Sequence, residues 1–163
     1  TYTEPNSVFR SVAFSSNSKL IAIACEDKRA ILWNIETKET QKVLTGHSGE
    51  VFSVAFNYPS KLLASGSSDK LVKVWDISTG ECERTLNGHN GIITSIVFSP
   101  KSHILASSST DETIKLWNIQ TGECLRTLKQ DLPYKRMDIT GVKGLSEGEK
   151  SALKELGAIQ ETE

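Results

Sequence analysis

The chain has 163 residues, with 19 basic and 20 acidic side chains, a net charge of −1 and a pI of about 6.3. That balance, with Lys and Arg scattered rather than striped, excludes an electrostatic footing for nucleic acid or an anionic membrane surface. No apolar run approaches the ~20 residues that cross a bilayer, and no signal-like segment opens the chain.

Residues 1–7 are polar and read as a lead-in; the start Thr1-Tyr2-Thr3, without Met, is expected of a piece of something longer. Short apolar runs then alternate with turn chemistry every 8–12 residues, which predicts antiparallel β meanders. The first unit, 8–45, has strands at 8–14, 20–25, 30–35 and 40–45. The second, 51–87, has them at 51–56, 62–67, 71–77 and 82–86. The third, 92–129, has them at 92–98, 104–109, 113–119 and 124–128. Thr79-Gly80 and Thr121-Gly122 supply a residue free to take positive φ before each last strand, whereas the first unit has Thr37-Lys38 there and must turn without glycine.

After residue 129 the pattern breaks, and the tail 130–163 follows. Ser146-Glu147-Gly148-Glu149 has the spacing of a capping box. Leu145, Leu153, Leu156 and Ile159 lie on one stripe at helical spacing, so a helix is predicted near 147–156, stopped at Gly157, with its apolar face on the last unit's bare flank. Gly141-Val142-Lys143-Gly144 lacks the Walker spacing and reads as a turn.

Three residue types keep one 42-residue register without insertion: Phe14, Phe56 and Phe98; Asp27, Asp69 and Asp111; Trp33, Trp75 and Trp117. Gly46-His47 and Gly88-His89 keep the same interval, as do Trp75-Asp76 and Trp117-Asn118. A period of about 40–45 residues with Gly-His and Trp-Asp marks is that of a four-stranded propeller blade. The chain resembles the WD-repeat β-propeller family over residues 8–129. The fold expected is all-β: three consecutive four-stranded antiparallel propeller blades, an incomplete β-propeller, plus a short C-terminal helix. The tail resembles that of bacterial, especially cyanobacterial, multi-repeat WD proteins, which makes the chain the C-terminal portion of one.

Three blades leave two outer faces uncovered where closed propellers have about 4–8 blades. Further blades of a parent chain or a second copy of this one are the two expected ways of covering them. The three cysteines (Cys25, Cys82, Cys124) form neither an even disulfide framework nor a short-spaced metal motif. They are expected to be ordinary buried or half-buried thiols in a reducing cytoplasm, with no cofactor and no metal.

His47, Ser65, Asp69 and Trp75 recur as His89, Ser107, Asp111 and Trp117. A hydrolase triad needs an exposed serine beside its base and an oxyanion hole, and nothing of that kind occurs twice, one blade apart, with a tryptophan attached. The family resemblance implies instead a structural tetrad, a hydrogen-bonded set ending at the indole N–H. The first unit has Ile23 at the serine position and Pro5 at the histidine position, leaving Asp27 and Trp33 as an incomplete tetrad.

By the same resemblance, the loops before each first strand and between the second and third form a docking face for peptides or proteins. The matching positions are Phe9, Arg10 and Lys28; Glu50, Phe52 and Ser68; and Gly91, Ile93 and Thr110. They differ from blade to blade while the scaffold repeats, as a site grafted on a fold would. The function expected is a non-catalytic protein–protein interaction scaffold within a larger regulatory or signalling protein, with no nucleic acid or membrane as partner. The alternatives are an enzyme with its active site in the propeller channel and a self-assembling partial propeller.

Overall fold

The computed structural model describes residues 8–59, 61–129 and 146–155. The lead-in, Pro5, the turn at Gly141–Gly144, the stop at Gly157 and Leu145, Leu156 and Ile159 of the tail stripe lie outside them.

Among the described residues, twelve strands form three four-stranded antiparallel sheets, each joined in sequence order. The first contains β1 (Phe9–Phe14), β2 (Leu20–Cys25), β3 (Ala30–Asn34) and β4 (Glu39–Leu44). The second contains β5 (Val51–Phe56), β6 (Leu62–Ser67), β7 (Val72–Asp76) and β8 (Cys82–Leu86). The third contains β9 (Ile93–Phe98), β10 (Ile104–Ser109), β11 (Thr113–Asn118) and β12 (Cys124–Lys129). Among the described residues no barrel closes; the three sheets are consecutive blades of an incomplete propeller, with β1 packed beside β5 and β5 beside β9.

The sheets hold together because both faces of a blade are apolar where another blade covers them. One core joins Ala22, Ala24, Leu32 and Leu44 of the first sheet to Val51, Leu63 and Trp75 of the second. A second core joins Val72, Val74 and Leu86 of the second sheet to Ile93, Leu105 and Trp117 of the third. Gly66 lies at that second junction, where an added Cβ would fall 2.4 Å from Ile93 Cγ2. The missing side chain therefore sets how closely the two sheets approach.

Polar side chains shape the turns. The acidic or amide residue after each tryptophan caps the turn to the outer strand: Asp76 Oδ1 accepts the Ser78 and Thr79 N–H groups at 2.7 and 2.9 Å. Asn34 and Asn118 do the same one blade away. Gly80 and Gly122 take positive φ of 81° and 82° in these turns, and Lys38 takes 59° in the turn that has no glycine.

The helix α1 (Glu147–Glu155) opens on the capping box: the Glu149 N–H donates to Ser146 Oγ at 3.3 Å, and Glu149 Oε2 accepts the Ser146 N–H at 2.8 Å. None of its side chains is buried. Cys25 is buried, but Cys82 and Cys124 are exposed, contrary to the expectation for all three thiols. Both begin outer strands, where the sheet ends.

Candidate functional site

The loop before β5 and the turn between β6 and β7 lie together at one end of the second sheet, where the Ser68 N–H donates to the Glu50 carbonyl at 2.9 Å. Glycine makes the approach possible: a Cβ on Gly49 would meet Ser68 Oγ at 2.3 Å, and one on Gly91 would meet Thr110 Oγ1 at 2.5 Å. The short Gly-His-x-Gly spacing carried this signal in the sequence, and reading only its Gly-His half missed it.

His47, Ser65, Asp69 and Trp75 meet just inside that loop. The Trp75 indole N–H donates to Ser65 Oγ at 2.8 Å. The Ser65 hydroxyl stands 2.8 Å from His47 Nε2, and His47 Nδ1 is 2.8 Å from Asp69 Oδ2. With its oxygen already accepting from the indole, the Ser65 O–H is left to donate to Nε2. That makes Nε2 the acceptor and Nδ1–H the donor to Asp69, a neutral imidazole. Burial agrees, holding the His47 pKa below its ordinary value against the opposing pull of Asp69. Burial alone would raise the Asp69 pKa, but hydrogen bonds from His47 and the Ser48 and Leu71 N–H groups more than offset it and hold it low.

The third sheet repeats the set. His89 lies 2.8 Å from both Asp111 Oδ2 and Ser107 Oγ, and the Trp117 indole N–H donates to Ser107 Oγ at 2.8 Å. Thr113 adds a hydroxyl donated to Asp111 Oδ1 at 2.6 Å, where the second sheet has Leu71. Burial would raise the Asp111 pKa, but bonds from Thr113, the Asn90 N–H and His89 lower it strongly. In the first sheet Arg29 pairs with Asp27, and Ile23 lies with Cys25 and Ile31 in a small apolar cluster against which Trp33 packs.

Ser65 and Ser107 are fully enclosed, each between an indole and an imidazole. Neither can reach a substrate, and the arrangement chemically supports bracing rather than nucleophilic attack. Among the described residues, no three His, Cys, Asp or Glu side chains are grouped to hold a metal ion, and no helix is long and apolar enough to cross a membrane.

These pKa directions fix how stability depends on pH. A histidine whose folded value lies below the unfolded one favours folding in its neutral form. Its contribution is therefore complete above 6.5 and declines as the pH falls below that value. The lowered Asp69 and Asp111 contribute fully above 3.8 and lose their effect as the pH falls through their folded values. Urea midpoints should be nearly level above about pH 7, decline below about pH 6.5 and drop more steeply below about pH 4. His47→Gln should flatten the upper part of that decline; a midpoint that rises on acidification from neutral would contradict the assignment.

The docking-face positions do not all gather. Arg10, Glu50 and Phe52 form one group across the first two sheets: the Arg10 guanidinium is 3.0 Å from Glu50 Oε2 and 3.4 Å from Glu26 Oε2, with its carbon 5.3 Å from the Phe52 ring centroid. Phe9, Lys28 and Thr110 are exposed, and Ser68 and Gly91 are half-buried. Ile93 is a correction, being 0 % exposed in the core against Gly66, where it meets the neighbouring sheet and no partner. The Arg10 network joins residues forty apart in the chain, a pairing that no local pattern reveals.

The family model for "WD domain, G-beta repeat" matches residues 1–34, 38–76 and 80–118. Each of the last two segments takes the outer strand of one sheet and the three inner strands of the next. Among solved structures, the chain is similar to U3-55K and to the WD40 repeats of RRP9, at 25% identity and a TM-score of 0.76 in each case. The alignments cover 78% and 79% of this chain and 41% of each of those chains.

Proposed function

The chain belongs to the WD domain, G-beta repeat family, and on that premise we propose that it is a non-catalytic scaffold that binds a protein or peptide through the loop end bearing Arg10, Glu50 and Phe52. WD40 repeat domains generally mediate protein–protein interactions. The single observation that carries the reading is the enclosure of both His–Ser–Asp sets. Each serine is locked between two partners, so the chemistry-bearing side chains are consumed by the scaffold while the variable positions stay at the rim.

The finer reading is the C-terminal part of a propeller in a larger, cytoplasmic regulatory or signalling protein of the bacterial, cyanobacterial kind. The C-terminal and bacterial parts of it rest on the tail's resemblance to such proteins; the 41% coverage of each similar structure accords only with a longer array of blades. The tetrads serve as internal braces in this reading, and the rim residues Phe9, Lys28, Ser68 and Thr110 flank the central group.

Phe52 is the anchor to test, because aromatic and arginine side chains carry most interface energy. Peptides selected on the intact chain from a display library should bind Phe52→Ala at least about tenfold more weakly, a loss of roughly 1.4 kcal/mol or more. They should bind Tyr58→Ala, at the opposite end of β5, as they bind the parent. Equal affinity for both variants would refute the assignment of the face.

A further inference from the structure

The two junctions between sheets are built alike, and each end of the row carries one half of a third. At each existing junction a cation on the outer strand of one sheet holds a turn carbonyl of the next. Lys42 Nζ donates to the Thr79 carbonyl at 3.2 Å, and Arg84, its equivalent one blade on, donates to the Gln120 carbonyl at 2.7 Å. At the second junction the Ile96 N–H on the free edge of β9 also donates to Ser53 Oγ of β5 at 3.1 Å.

On the third sheet the same offering positions are present and unused. Arg126 is the equivalent of Lys42 and Arg84, and among the described residues its guanidinium has no partner. Ser95, the equivalent of Ser53, is exposed. Leu128 is 40 % exposed, where its equivalents Leu44 and Leu86 are at 2 % and 1 %.

On the first sheet the receiving positions are equally bare. Val12 and Phe14 are both 65 % exposed, whereas their equivalents Val54 and Phe56 are buried and half-buried in the core shared with the first sheet. Glu36 and Thr37 hold the positions of Gln120 and Thr79 in a turn capped by Asn34 as theirs are by Asn118 and Asp76.

We infer that these two halves meet: the third sheet of one chain docks on the first sheet of a second copy, and the reciprocal contact closes a six-blade ring from two chains. A second copy is the occupant because this chain itself supplies both halves in the sense that its own junctions already use. Such a head-to-tail contact either closes or runs on, and six lies within the usual range of about 4–8 blades. The loop-end reading above concerns a different surface and does not depend on this one, whereas further blades of a longer parent chain would occupy the same two faces and are the outcome that the mass measurement sets against a second copy.

Sedimentation equilibrium of the full chain tests it. The expected result is a twofold mass, about 36 kDa against 17.9 kDa for one chain. Val12→Asp on one face and Leu128→Asp on the other should each give a monomer. Both sites are solvent-exposed, so circular dichroism should show the fold kept; Arg126→Glu, wholly on the surface, should weaken the dimer in the same direction. Mixing the Val12→Asp and Leu128→Asp chains should restore a one-to-one dimer through the single intact pair of faces. A wild-type chain that stays monomeric throughout the micromolar range overturns the inference and leaves both faces to further blades. So does a dimer that survives either aspartate alone.

Discussion

Trp117→Ala should lower the stability of the chain by about 3–5 kcal/mol, the usual range for deleting a large aromatic from a core. Trp117 is 1 % exposed and packs at the junction of the second and third sheets. Its indole also donates to Ser107 Oγ, so truncation opens a cavity and removes one donor from a buried serine. Trp117→Phe separates the two effects. It retains most of the apolar volume but leaves Ser107 short of a donor, and should cost about 1–3 kcal/mol. Trp33→Ala should cost less, on the order of 1–2 kcal/mol, because Trp33 is half-exposed and so buries less apolar surface than Trp117. Urea midpoints of the three variants decide the point. Equal losses for Trp33→Ala and Trp117→Ala would mean that the polar foursome adds nothing to its blade.

Gly66→Ala should cost about 1–3 kcal/mol through overpacking. The new Cβ would lie 2.4 Å from Ile93 Cγ2, 3.0 Å from Ile93 Cβ and 3.2 Å from Ile96 Cγ2. None of these is the free end of a long side chain, so the sheets themselves must part. The first junction already shows another solution, since Ala24 there shares a core with Val51, the equivalent of Ile93. Ile93→Val in the Gly66→Ala background should therefore recover part of the loss, because without Cδ1 the side chain can turn about χ1 and take a γ-methyl off the new Cβ, although the Cβ contact remains. Strictly additive effects in that double-mutant cycle would show that the two residues do not oppose each other.

The sequence revealed the strands well because two signals agreed: short apolar runs and a fixed 42-residue return. Every observed strand lies within one residue of its expected ends. The four members of each polar set could be picked out because a spacing that repeats intact across blades implies equivalent places in space.

What the sequence concealed were relations between blades. Ile93 stands in line with loop-end residues, but its burial depends on the sheet beside it and on Gly66. Arg10 gives no hint in its own strand that Glu50 and Phe52 wait on the next one. The exposure of Cys82 and Cys124 arises the same way, because being at an outer strand matters more than being apolar. The turn-capping role of Asp76, Asn118 and Asn34 was within reach, since an Asp or Asn ahead of a turn commonly accepts the next backbone N–H groups.

The offset between the matched segments and the sheets has a consequence for how such an array changes length. Residues 38–76 close one sheet with β4 and open the next with β5, β6 and β7. A tandem duplication of one full 42-residue period, residues 38–79 with the turn that follows β7, would hand each neighbour the strand it lacks, leaving no frayed edge at either seam. Genes built this way can gain or lose a whole blade in one event, and the product is complete at every join.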